Sequence, residues 1–139
     1  MKTSGILLRA GGAYHLLCAV MHVFFARIFE WDRHLAALSG EGSAVIGANL
    51  NIMNWCMLVL WVMLGAIPLV YGEKLLESGP GKMMLVFIVI FWFVRIFVLQ
   101  PVYVGFSNAE SLITAGVFLA GAMLFVVPLT GYLRQKRVG

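Results

Sequence analysis

Residues 83–93 read Met83-Met84-Leu85-Val86-Phe87-Ile88-Val89-Ile90-Phe91-Trp92-Phe93, a run that is apolar whichever way it is wound. A membrane-barrel strand would alternate apolar and polar residues, and a helix of a soluble domain would keep one polar stripe. A run without either pattern is a helix inside hydrocarbon, where only helices and closed barrels satisfy every backbone group. Working outward, the run extends to a span over 82–104 that opens on Lys82 and holds one cation in its interior, Arg95. Three further apolar stretches, 6–29, 47–71 and 111–133, are also long enough to cross ~30 Å of hydrocarbon at ~1.5 Å per residue. Over 139 residues, 62% are hydrophobic and 12% charged, which excludes a compact soluble domain. The expected fold is all-α, a single membrane domain over 1–139. It is an up-down bundle of four transmembrane helices crossing at about +20°.

The connectors are short. Gly79-Pro80-Gly81 stops one helix before the next begins. Asn108 is placed to cap a fourth helix that carries Glu110 in its first turn. The first connector is longer. There Trp31, Leu35 and Leu38 recur at helical spacing, which predicts a short interfacial helix over about 31–39, with Gly40-Glu41-Gly42-Ser43 as the turn that follows. Met1-Lys2 before an apolar run resembles a secretory signal. Arg9 interrupts that run and no small-x-small site follows Phe24 and Phe25, so it reads as a retained first helix.

The net charge of +4 comes from cations beside the apolar runs, which speaks for membrane orientation and against a nucleic-acid partner. Lys2, Arg9, Lys74, Lys82, Arg134, Lys136 and Arg137 fall on one side, and Arg27 and Arg33 on the other. Both termini are therefore expected in the cytoplasm.

Polar residues within the spans are the candidate functional groups, because each is costly in lipid unless it finds a partner. Placed by depth, His22, Asn49, Asn51, Asn54, Arg95, Gln100 and Thr114 gather in the outer half of the membrane. One reading is a ligand pocket of His22, Asn51, Asn54, Arg95, Gln100 and Thr114, in which Arg95 supplies charge and the amides supply hydrogen bonds. It would suit an anionic or carbonyl-bearing ligand. The other is interhelical hydrogen bonding alone, with Arg95 lying along Phe91, Trp92 and Phe93.

His15 and His22, seven residues apart, share nearly one helix face about 10 Å apart, so they cannot clamp one haem iron between them. A haem would need a methionine opposite, such as Met57 or Met84, or a second chain. Cys18, Met21 and His22 with Met53, Cys56 and Met57 would suit Cu(I), although methionines in an apolar chain are mostly packing material. Cys18 and Cys56 make neither a disulfide framework nor a zinc site. Enzyme chemistry has the weakest support: Glu30, Asp32 and His34 lack a nucleophile or a second acid-base partner, and no phosphate loop or zinc-protease motif occurs. Gly11-Gly12 reads as a close helix contact.

The pattern Tyr14-His15-x-Leu17, His22, Phe25, Phe29-x-Trp31, Leu35, Leu38-Ser39 and Phe91-Trp92-Phe93-x-Arg95 resembles a group of uncharacterised small bacterial four-helix integral membrane proteins. It departs from them in span two, at Asn49, Asn51 and Asn54. The resemblance implies that His15, His22, Trp31 and Arg95 belong to one pattern, and it implies no activity. Two functions follow as expectations. The leading one is a non-enzymatic accessory or structural subunit of a membrane complex, touching lipids and associating with itself or a larger assembly. The other is a bundle binding haem, Cu(I), a quinone or an anionic lipid.

Overall fold

The computed structural model describes residues 2–38, 41–103 and 105–138. The described residues are helical almost throughout, without a strand. The elements are α1 (Lys2–Val23), α2 (Phe25–Ile28), α3 (Trp31–Ala36), α4 (Glu41–Tyr71), α5 (Lys74–Glu77), α6 (Gly79–Val94), a π-turn over Arg95–Leu99, α7 (Gln100–Tyr103) and α8 (Ala109–Val138). Four segments are long and apolar enough to cross a membrane: Thr3–Val23, Gly42–Tyr71, Gly79–Val102 and Ala109–Lys136.

These segments differ from the expected spans at their ends. The first helix does not run to residue 29 but breaks at Phe24, whose N–H reaches back three residues to Met21 O and whose carbonyl accepts from Arg27 N. Tightening to a 3₁₀-like turn brings residues three apart into register. His22 and Phe25 use it to stack at 4.6 Å and 10°. The second helix begins at Glu41, six residues before the apolar run does. The third contains a π-turn the run of apolar residues did not announce. The segment read as an interfacial helix is α3, entered through Glu30 in the left-handed region at φ 46°. Ser39, Gly40 and Val104 lie outside the described residues.

The chain packs as two compact units, Met1–Gly12 with Ile67–Gly139, and Ala13–Ala66. In the first, α6 turns Leu85, Ile88 and Trp92 inward at helical spacing, continued by Ile96 of the π-turn. From α8, Ala122, Phe125 and Leu129 are buried. Gly11 lets the start of α1 approach α8, since a Cβ there would stand 2.5 Å from Phe125 Cζ, as the paired glycines suggested. Gly81 serves the same purpose against the backbone of Leu75. Asn108 caps α8 as expected: Ser111 N donates to its Oδ1 at 2.7 Å, and Ser111 Oγ donates to its carbonyl at 2.9 Å.

In the second unit His15, Ala19, Trp61 and Leu64 are buried. The apolar face of α3 is used locally. Leu35 approaches Gly47, whose ideal Cβ would stand 3.1 Å from its Cδ1, and Trp31 meets Phe25 edge-on at 5.9 Å.

Candidate functional site

Two polar clusters lie within the spans, one in each unit. The first is a column of rings and imidazoles. His15 is fully buried and its Nδ1 donates to the Leu64 carbonyl at 3.1 Å. Its ring lies 5.1 Å from Trp61, which is in turn 6.0 Å from His22. His22 and Asn54 bond reciprocally: His22 Nδ1 donates to Asn54 Oδ1 at 2.9 Å, and Asn54 Nδ2 donates to the His22 carbonyl at 2.9 Å. Because each Nδ1 faces a carbonyl oxygen, both imidazoles carry their proton there. Phe25 continues the column to Phe29 at 4.4 Å.

This geometry sorts the candidates of span two. Asn54 is the asparagine that meets a histidine. Asn51 is exposed and donates to Gly47 O, four residues back on its own helix, so it contributes nothing to the His22 pair. Met53 and Cys56 are exposed, while Met57 is half-buried. Cys18 is half-buried and accepts a hydrogen bond from the Tyr14 hydroxyl one turn earlier. Among the described residues no three His, Cys, Asp or Glu side chains are close enough to hold a metal ion.

The second cluster is built by the π-turn. Pro101 has no N–H to give to the carbonyl four residues before it, so one bond of the α-ladder is missing there. The ladder widens: Gln100 N donates to Arg95 O and Gly105 N donates to Gln100 O, both five residues back. On an α-helix, residues five apart point about 140° away from one another at ~3.6 residues per turn. A π-turn nearly superposes them. Arg95 Nη1 therefore reaches Gln100 Oε1 at 3.1 Å. Gln100 is fully buried, and its Nε2 passes the connection to Ser111 O at 3.4 Å.

The ring under the Arg95 guanidinium is Phe118, with Cζ 4.5 Å from its centroid, in place of the neighbouring aromatics 91–93. Trp92 meets the same ring at 5.4 Å. Thr114 donates to Glu110 O on its own helix and does not join Arg95. Phe118 is not a polar side chain and so stood outside the reading by depth, and Ser111, which lies at that depth, takes part through its backbone carbonyl. Pro101 was the one local signal beside the π-turn, and not a sufficient one, since Pro68 and Pro128 sit within continuous α-helices.

Four apolar spans and interior polar clusters define a helical integral membrane protein. Compared with protein-family models, curated proteins and solved structures, the chain matches none.

Proposed function

We propose that this chain is a non-enzymatic accessory or structural subunit of a membrane complex, an up-down bundle of a bacterial inner membrane with both termini cytoplasmic. One observation carries the reading. The buried or half-buried polar side chains His15, His22, Asn54 and Gln100 are spent on neighbouring helices of the same chain, in the reciprocal His22–Asn54 pair and the bonds from His15 to Leu64 O and from Gln100 to Ser111 O. Interhelical hydrogen bonds of this kind order a bundle without performing chemistry.

The up-down course is supported by the steps of those bonds. From His15 to His22 the chain advances seven residues, while their partners fall back from Leu64 to Asn54. Orientation is supported by charge. Arg9 lies against Gly72, and Lys82 and Lys136 each stand 5.6 Å from the Tyr132 ring, so the cations of α1, the α4–α6 connector and the end of α8 share one end. The α3 helix, with Asp32, Arg33 and His34 exposed, fits the interface at the opposite end of its unit. Exposed apolar side chains such as Met53, Trp55, Phe87 and Phe97 are then surface for lipid, a second copy or a partner.

Gentle extraction followed by mass determination of the intact complex tests the assignment. Co-purifying polypeptides in fixed ratio support a subunit; a monomer carrying a stoichiometric small molecule overturns it.

A second reading, a ligand-binding bundle, draws on Arg95. Its guanidinium has five N–H donors, one of them is given to Gln100, and among the described residues no carboxylate pairs with it. An intramembrane cation without a counterion suits an anionic or carbonyl-bearing group. Arg95→Met should abolish retention of such a ligand if the second reading holds, and leave the composition of the purified complex unchanged if it does not.

A further inference from the structure

Two adjoining clefts open at the end of the first unit, where α1 begins and where α4 passes through α5 into α6. One, of about 500 Å³, is bordered by Arg9, Glu73, Lys74 and Glu77, with Tyr71 at its wall. The other, of about 420 Å³, is lined by Ile67, Leu75, Pro80 and Met84. Tyr71 and Lys74 line both, so a charged cleft passes directly into an apolar one.

The charged cleft is held by packing. Glu73 rests on Gly5, whose ideal Cβ would stand 3.6 Å from Glu73 Cβ. Arg9 lies over Gly72, where Nε stands 3.2 Å from the Cβ position and φ is +51°. A side chain at residue 72 would strain the backbone and crowd the guanidinium together.

Two cations and two carboxylates border this one cleft, yet none of the four pairs with another. Among the described residues the ion pair is Arg33–Glu30. One carboxylate oxygen of Glu73, Oε2, is buried and accepts no hydrogen bond. A buried acceptor left without a donor is costly, and a carboxylate oxygen more so than a neutral one. Glu73 therefore brings to the cleft a carboxylate that is not neutralised within the chain, and Arg9 and Lys74 bring donors.

We infer that the paired clefts bind a phospholipid whose headgroup joins a phosphate to a primary ammonium, an aminophospholipid of the phosphatidylethanolamine class. The phosphate faces Arg9 and Lys74, the ammonium donates to Glu73 beside Glu77, and an acyl chain runs along Ile67, Leu75 and Met84. Charge complementarity selects this occupant. A headgroup with phosphate alone leaves Glu73 unanswered and brings a second anion beside it. A trimethylated ammonium has the charge but no N–H to give. Location agrees, because Tyr71 ends one span and Gly79 begins the next, which is the depth of lipid headgroups.

The full chain, purified in detergent, is titrated with phosphatidylethanolamine, its N-monomethyl and N-dimethyl forms, phosphatidylcholine and phosphatidylglycerol of one acyl composition. Native mass spectrometry counts the bound lipid. Phosphatidylethanolamine should be retained roughly tenfold more tightly than phosphatidylcholine, the worth of one hydrogen bond to a charged group, with the methylated forms stepping down between them. Glu73→Gln should remove that preference while leaving retention of phosphatidylglycerol equal or higher. Free glycerophosphoethanolamine should not displace the lipid, since it lacks the chain that fills the apolar cleft. A flat methylation series, a wild-type preference for phosphatidylglycerol, or displacement by the soluble headgroup each overturns the inference. The methylation series reads the Glu73 contact on wild-type protein, so it decides the matter even if Glu73→Gln does not fold.

Discussion

His22 and Arg95 both place a polar head inside a span, but one is an imidazole closed onto another helix and the other is a guanidinium bonded within its own. The imidazole donates to the Asn54 amide oxygen, and the amide nitrogen donates in turn to the His22 backbone carbonyl, across two helices. The guanidinium bonds to Gln100, a residue brought beneath it by a π-turn five residues on, and it leans on the Phe118 ring. Neutral groups in lipid can be satisfied pairwise, whereas a charge keeps donors to spare and pays a desolvation cost that no single amide offsets. The first arrangement therefore behaves as a fastener, and the second keeps the capacity to answer a group outside the chain.

The sharpest way to break this contrast is Asn54→Leu, which strips both bonds from His22 at once. It should lower stability by about 2 kcal/mol, measured by unfolding in mixed detergent, because a donor within the membrane loses its partner. Combining it with His22→Phe, which keeps the stack on Phe25, should recover part of the loss, with a coupling of about 1 kcal/mol. Strict additivity would show that the two residues are not a unit. Arg95→Met comes next, with a loss of less than about 1 kcal/mol as Met packs on Phe118. A loss as large as that of Asn54→Leu would make Arg95 a fastener too and erase the difference.

Pro101→Ala should have a smaller effect on stability, a few tenths of a kcal/mol at most, since restoring an α-ladder regains a backbone bond while parting Arg95 from Gln100. Its signature is spectroscopic: labelled arginine side-chain resonances should shift toward those of Gln100→Leu, and unchanged resonances would mean that Pro101 does not hold the turn. The smallest effects belong to Asn51→Leu and Thr114→Val. Both residues bond their own helix, so each substitution should stay within about 0.5 kcal/mol.

Much of the fold was legible because it follows from run length and local chemistry. The run at 83–93 can only be a helix in hydrocarbon, Asn108 before Ala109-Glu110-Ser111 can only help as a cap, and Gly11 invites a close neighbour. The candidate site was legible in part. Reading by depth put His22, Asn54, Arg95 and Gln100 among the polar groups that need partners, and each has one. It also gathered Asn51 and Thr114, which turn to their own helices, because depth carries no information about azimuth. The π-turn rotates Gln100 toward Arg95 against the period assumed for an α-helix, and the turn at Phe24 similarly sets Phe25 over His22.

The amino-acid order alone determined that this chain must be helical in a membrane and that its interior polar groups require partners, since lipid supplies no hydrogen bonds to replace them. Only the tertiary structure decided who those partners are. The choice of Asn54 over Asn51, of Phe118 over the aromatics beside Arg95, and the meeting of Arg9 with Glu73 at one cleft depend on helix rotation and on two local departures from the α-period. Such rotations are set by side-chain packing between helices, which no single helix contains.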